Sequence, residues 1–415
     1  MSKTDLEQGL NLTNDGKVPA RRFPEFRNFP LWQKLQLNQV LDYARPDKYI
    51  VNSTNYKTAG IPVLTANKSF VLGYTQEDFG IYEYLPVVIF DDFTTDKKFV
   101  DFPFKIKSSA IKILKPKNNE DLKFIFEVMN QIKFEVSDHK RHYISEYQNL
   151  VVKIPEFTEQ KKIADCLTSL DNLISQKQSE LGALAKYKKG LLQQLFPQGD
   201  HSLPAKRFPE FENSPPWQEK KLSDIFNIID GDRGGNYPKE REFFREGFCL
   251  FLNAKNVTTN GFNFSNCNFI SQEKDSKLRA GRLNNLDFVL TTRGSIGNVA
   301  YNKDIPYQVM RINSGMVILR KKVDNDVVHE YCDIFFKSDI FIQQVQIMGF
   351  GSVQPQLTVG IINNFNLPIP KQPEEQRQIA DCLTSLDSLI DLKQQELDKL
   401  GIYKKGLLQQ LLVQG

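Results

Sequence analysis

The residues best suited to chemistry in the second half of this chain fall in four polar stretches: GDRGGNYPKE (231–240), NAKNVTTN (253–260), TTRGSIGN (291–298) and GSVQPQLT (351–358). They supply Arg233, Asn236, Tyr237, Lys255, Asn256, Thr292, Arg293, Ser295, Gln354 and Gln356. Arg and Lys can make paired contacts to guanine, and Asn and Gln to adenine, in a major groove. Lys, Ser, Thr and backbone amides suit phosphates, and glycines let a backbone approach closely. The first half offers Lys68, Tyr74, Thr94, Thr95, Lys97, Lys98 and the segment DHKRHY (138–143), with Lys140, Arg141, His142 and Tyr143. Any one of these residues, taken singly, reads as part of a solvated polar loop. The recurrence of several such loops at matching places in both halves is what favours nucleic-acid binding, with TTRG (291–294) and QPQL (354–357) on the binding face.

Catalytic signatures are missing. There is no GxxxxGK[ST] phosphate loop, no GxSxG elbow, and no GxGxxG after a strand. His139 and His142 form HxxH, but no third His or Cys ligand lies nearby, so they read as surface imidazoles and no metal is expected. GDRGGNYP is glycine-rich without leading into a helix, which fits a surface loop better than a phosphate cradle. No pair of residues supplies a nucleophile and its base.

The 415-residue chain is long enough for two or three domains, and its 40% hydrophobic and 25% charged residues are ordinary for a globular protein. A net charge of +4 permits nucleic-acid binding without arguing for it, so a basic surface must be local. Five Cys without a CxxC pair read as reduced thiols in a cytosol. No membrane span is evident, and the polar residues 1–17 read as disordered.

The elements that must position these loops occur twice. Residues 159–195 and 375–411 are near copies, matching at roughly two thirds of positions, with an offset of 379 − 163 = 216. Ile163, Leu167, Leu170, Ile174, Leu181 and Leu184 follow a 4-3 spacing that continues to Leu191 and Leu195. Ile379, Leu383, Leu386, Ile390, Leu397 and Leu400 repeat it. Lys177, Lys188, Lys393 and Lys404 interrupt the two stripes at equivalent places. A sustained 3.5-residue apolar repeat is a coiled-coil seam, and about 40 residues make a rod of about 60 Å. Such a stripe needs a partner, and its own copy is the nearest one. Two separate surface helices are the plainer alternative; the matching interruptions favour self-pairing.

A second repeat precedes each helix: PARRFPEF (19–26) and PAKRFPEF (204–211), followed by Trp32 and Trp217 as core anchors. Its offset is 204 − 19 = 185, so the second variable block is longer by 216 − 185 = 31 residues. Both blocks share an order of features. IPVLT (61–65), YLPVVIFDDFTT (84–95) and SSAIKILKPK (108–117) answer to LFLNAKNV (250–257), LNNLDFVLTTRGSIGNVAY (283–301) and NSGMVILRKK (313–322) as strands. Helices are predicted over 121–132 and 328–345, and 144–157 and 360–376 then lead into the long helices, with prolines as stops. The blocks read as distant versions of one α/β fold.

On these residues the chain resembles the specificity subunit of a type I restriction–modification system. The paired EQKKIADCLTSLD and EQRQIADCLTSLD helices, each ending YKKGLLQQL, carry the likeness, with the RRFPEF and KRFPEF heads and the pieces GDRGGNYP, LTTRGSIGN and SVQPQLT. It extends from about Val18 onward. Block one departs from the pattern, having FDDFTTDKK where block two has TTRGSIGN, so which residues read bases there stays open.

The resemblance implies an α+β fold: two α/β target-recognition domains separated by two long antiparallel helices that form a pseudo-twofold symmetric coiled coil. The expected boundaries are 1–154 and 197–370 for the recognition domains, and 155–196 and 371–415 for the helices. Each domain would read half of a bipartite asymmetric target in double-stranded DNA, while the rod sets the spacer and docks modification subunits. The implied partners are two modification (methyltransferase) and two restriction (motor-nuclease) subunits. S-adenosylmethionine, ATP and Mg would sit on those partners, leaving this chain a non-catalytic cytoplasmic protein without cofactor. The competing expectations are a coiled-coil scaffold with protein-binding end domains, which would show no salt-dependent DNA affinity, and a stand-alone DNA methyltransferase, whose cofactor loop and catalytic motif are absent.

Overall fold

The computed structural model describes residues 18–67, 69–136, 140–199, 201–323, 325–349 and 356–413. The expectation for residues 1–17, and those resting on Lys68, His139 and Gln354, lie outside the described residues. The chain divides into two compact units, Met1–Gln178 with Gln395–Gly415, and Ser179–Gln394, so each unit takes part of both long helices.

Unit 1 is built on an antiparallel sheet in which Leu41–Ala44 pairs with Ile111–Pro116, then Val87–Asp91, then Lys97–Val100. A second sheet holds Val71–Thr75, Ile61–Leu64 and Lys105–Ile106, the last two parallel. Alternate residues of the central strand serve two cores. Val88 and Phe90 face the helix Leu122–Gln131, and Val87 and Ile89 face the second sheet. That double coverage explains why the strand reads VVIF rather than alternating with polar residues. Asp121 caps the helix by accepting from Phe124 N at 2.8 Å.

Unit 2 repeats the arrangement. Phe226–Asp230, Met316–Lys321, Phe288–Thr291 and Val299–Tyr301 form the four-stranded sheet, and Phe269–Ile270, Cys249–Phe251 and Met310–Arg311 the second, again with one parallel pair. Two short antiparallel pairs, Gln33–Gln36 with Val151–Ile154 and Gln218–Lys221 with Asn366–Ile369, lead the units into the long helices. The blocks are thus two versions of one fold, as their order of features indicated. The single helix expected over 328–345 is two, His329–Phe336 and Asp339–Gly349. The break falls at Lys337 and Ser338, where the Ser338 hydroxyl accepts from Phe341 N at 3.4 Å and starts the second helix.

The long helices run Phe157–Leu195 and Pro373–Leu411. In unit 1, Ile163, Ala164 and Leu167 at the start of the first helix share a core with Leu411 and Leu412 at the end of the second. In unit 2, Leu191 and Leu195 share a core with Ile379, Ala380 and Leu383. The helix segments therefore pair antiparallel in both units. Leu170 is buried and Leu386 packs at the edge of the unit 2 core. Ile174, Leu181, Leu184, Ile390, Leu397 and Leu400 are half-buried and belong to neither domain core, as seam residues covered by one facing helix alone would be.

The lysine interruptions carry ion pairs. Lys404 Nζ lies 2.5 Å from Asp171 Oδ1, Lys188 meets Asp387, and Lys177 is 3.9 Å from Glu396. The first two are one contact made twice, since 404 − 188 = 387 − 171 = 216. Trp32 and Trp217 are buried in the two cores, as expected of anchors.

Candidate nucleic-acid interface

In unit 2 the polar stretches meet where the four-stranded sheet ends. Strand Phe288–Thr291 runs into loop 292–298, which Thr291 closes: its hydroxyl donates to the Ser295 carbonyl and accepts from Asn298 N at 3.0 Å. Gly297 sits at φ +88°, and a Cβ there would lie 2.7 Å from Val345 Cγ1, so this position requires glycine. Thr292 N donates to Gly315 O at 2.8 Å, and Leu357 N donates to Thr292 O at 3.0 Å, which joins TTRG to the end of QPQL. Asn298 Nδ2 donates to Val257 O at 3.1 Å and brings in the 253–260 stretch. On the other flank Gly231 passes so close to the Asn313 carbonyl that a Cβ would lie 2.3 Å from it.

Several expected residues present themselves at this junction. Arg293, Ser295, Lys255 and Arg233 are exposed, and Gln356 is half-buried. Among the described residues Arg293 makes no side-chain hydrogen bond or ion pair, whereas Arg233 is tied to Asp230 Oδ2 at 2.8 Å. Asn236 is exposed but donates to Lys277 O at 3.2 Å, and Tyr237 packs edge-on against Phe251, both toward the second sheet.

Two side chains expected to bind are structural instead. Asn256 is buried; its amide donates to the carbonyls of Asn263 and Asn266, both at 2.9 Å, and accepts from Asn253 N. Thr292 is also buried, so it offers its backbone to the junction rather than its hydroxyl.

Unit 1 builds the same junction with other residues. Strand Val87–Asp91 ends in loop 92–96, where Asp91 Oδ1 accepts from Phe93 N and Thr94 N at 2.9 and 3.0 Å. Thr94 is exposed and Thr95 half-buried at φ +60°. His142 N donates to Asp92 O at 2.8 Å and brings segment 140–143 to the loop. Lys140 and Arg141 are exposed, Lys140 being paired with Glu146 at 2.5 Å.

His142 and Tyr143 correct the expectation, because both are buried. Tyr143 packs edge-on against Phe90 and Tyr43, and burial pushes its phenol well above the ordinary value. These two rings seat the segment and present nothing to a ligand. Lys97 is half-buried over the Tyr147 ring, and burial lowers its ammonium against a smaller rise from Asp96. Lys98 is half-buried on the same strand. Tyr74 lies on the second sheet, its backbone paired with Lys57.

Sequence reasoning passed over Asn313, Ser314 and Gly315, which it read only as the start of a strand. The turn-forming order Asn-Ser-Gly ahead of an apolar run was the available signal. Among the described residues no group of three or more His, Cys, Asp or Glu side chains could hold a metal, and no helix is long and apolar enough to cross a membrane.

Comparison with known proteins bears on this geometry. Residues 215–401 match the family model described as type I restriction modification DNA specificity domain. The type I restriction enzyme EcoR124I/EcoR124II specificity subunit of Escherichia coli is 46% identical over 128 residues, 29% of this chain and 32% of that protein. The MjaVIII specificity subunit of Methanocaldococcus jannaschii is 27% identical over 274 residues, 64% of this chain and 62% of that one. The matches thus span less than two thirds of either relative. The crystal structure of the type I restriction–modification system S subunit from M. genitalium shares the fold, with a TM-score of 0.64 and 18% identity, covering 95% of this chain and 99% of that one. Residues 215–401 thus carry a type I restriction modification DNA specificity domain, and in the stretches matched the chain is similar to type I restriction–modification specificity subunits.

Proposed function

We propose that this chain is the non-catalytic DNA-recognition subunit of a type I restriction–modification complex, and that its two blocks each read one half of a bipartite, asymmetric target in double-stranded DNA. The observation that carries this reading is the repeated junction. In both units one loop at the end of the central strand is hydrogen-bonded to a second polar segment, and the side chains differ. One frame with two sets of donors and acceptors suits two different half-sites. Arg293, Ser295, Lys255, Arg233 and Gln356 in unit 2, and Thr94, Lys140 and Arg141 in unit 1, are the residues this reading sets against DNA.

The long helices, over 155–196 and 371–415, would hold recognition domains 1–154 and 197–370 apart. A helix of about 60 Å fits half-sites one or two duplex turns apart, at about 34 Å per turn. Two modification and two restriction subunits would assemble on this chain in the cytoplasm and bring S-adenosylmethionine, ATP and Mg with them.

The test is methyladenine mapping in cells that carry this chain with its modification subunits. A bipartite motif with a fixed spacer, lost when this chain is deleted, is the expected result. Methylation that ignores the chain, or DNA affinity insensitive to salt, would favour a protein-binding scaffold.

A further inference from the structure

Three matched hydrogen bonds put the two junctions in residue-by-residue correspondence. Asp92 N donates to Ala110 O at 2.8 Å as Thr292 N does to Gly315 O at 2.8 Å. His142 N donates to Asp92 O at 2.8 Å as Leu357 N does to Thr292 O at 3.0 Å. Ala110 N donates to Ser108 Oγ as Gly315 N does to Asn313 Oδ1. Asp92 therefore answers to Thr292, Ala110 to Gly315 and His142 to Leu357. It follows that Phe93 stands where unit 2 has Arg293, and Arg141 stands where unit 2 has Gln356.

The unit 1 arginine comes back to the same place from the opposite segment. The Arg141 guanidinium lies over the Phe93 ring, 5.9 Å from its centroid, and Nη2 donates to Ser109 Oγ at 3.3 Å. Ser109 is the counterpart of Ser314 in the matching turn. Among the described residues Arg141 makes no ion pair, while the neighbouring Lys140 is held by Glu146. Phe93 is 37% exposed, so its ring is open to a neighbouring guanidinium. A planar guanidinium resting on a ring keeps its donor fork directed outward, which a flexible ammonium would not.

We propose that Arg141 is the specificity-determining arginine of unit 1, reading a guanine edge in that unit's half-site, and that Phe93 is the positioning residue that fixes its fork. This rests on the reading of the chain as a DNA-recognition subunit. Recognition in the two units then uses the same spot on the fold, with the cation and its neighbour exchanged between the two joined segments.

The experiment uses the assembled complex and three duplexes: the mapped methylation motif, and the same motif with one or the other half-site scrambled. Arg293→Ala identifies the unit 2 half. Arg141→Ala is expected to lower affinity about 10- to 100-fold on duplexes that keep the unit 1 half-site, and to leave affinity unchanged where that half is scrambled. Phe93→Ala should give a smaller loss of the same pattern and add nothing on top of Arg141→Ala. Retained discrimination of the unit 2 half by each variant shows that the chain is folded. An equal loss on all three duplexes, or no loss, overturns the assignment of Arg141. Additive effects of the two substitutions overturn the role of Phe93. If the wild-type complex distinguishes no half-site, it is the recognition function itself that has failed.

Discussion

Arg22 grips Glu159 through two parallel contacts, Nε to Oε1 at 2.7 Å and Nη2 to Oε2 at 2.6 Å. Arg207 grips Glu375 in the same way at 2.8 and 2.7 Å. The arginines come from the RRFPEF and KRFPEF heads and the glutamates from the first turns of the long helices, so the two repeats of this chain are joined by one clamp made twice. Both glutamates are almost wholly buried, and each sits near a helix N-terminus, where negative charge is favoured.

Removing one partner of such a clamp leaves a buried charge alone. Arg22→Ala should destabilise unit 1 by about 3 kcal/mol, and Arg22→Lys should recover only part of it because an ammonium cannot reproduce the paired geometry. Urea unfolding of the single and double variants with Glu159→Gln measures this. A double variant no more stable than Arg22→Ala would show that the clamp is not the source of the loss.

The seam has its own signature in acid. Burial pushes the Asp171 carboxyl up, but hydrogen bonds from Lys404 and Lys123 overcome it and leave the group below the ordinary carboxylate value. A carboxylate depressed in the folded state contributes stability above its unfolded value, and that contribution is lost as pH falls through the folded one. Asp171→Asn should cost about 1 kcal/mol at pH 7 and flatten the decline in stability below about pH 4. Parallel acid limbs for the two proteins, in urea titrations from neutral pH downward, would remove Asp171 from the account.

What the sequence revealed depended on distance along the chain. The 4-3 apolar spacing shows Ile163 to Leu195 as one helix because period is a local property, and the same holds for Val87–Asp91 and Met316–Lys321 as strands. Arg22 and Glu159 are 137 residues apart, and nothing local marks them as partners. The candidate site was legible in composition but not in exposure. Asn256, Thr292, His142 and Tyr143 have the side chains of a binding surface, yet the folded chain buries them. A polar residue that finishes a loop and one that meets a ligand look alike until the hydrogen bonds are known.

Asn256 and its neighbour Lys255 separate those two roles. Asn256→Ala strands two carbonyls and one amide of the 253–266 loop and should cost about 1–3 kcal/mol of stability. Lys255→Ala removes an exposed ammonium and should leave the melting temperature alone while weakening DNA binding and reducing its salt slope by about one charge. Calorimetry and salt-dependent binding on the same two variants decide the matter. A stability loss for Lys255→Ala, or none for Asn256→Ala, would reverse the assignment.

Arg293 is the sharpest test in unit 2. It is exposed beside Gly315 and makes no side-chain bond among the described residues, so its removal should not disturb the fold. An arginine that reads a base contributes only on the cognate sequence, whereas one that meets a phosphate contributes on any sequence. Arg293→Ala should therefore cost about 1–3 kcal/mol on the cognate duplex and relax the preference at one position of one half-site. Equal weakening on cognate and random duplexes, measured at a single salt concentration, would make it a backbone contact. The base-reading role in unit 2 would then pass to the neighbouring QPQL segment, whose described glutamine is Gln356.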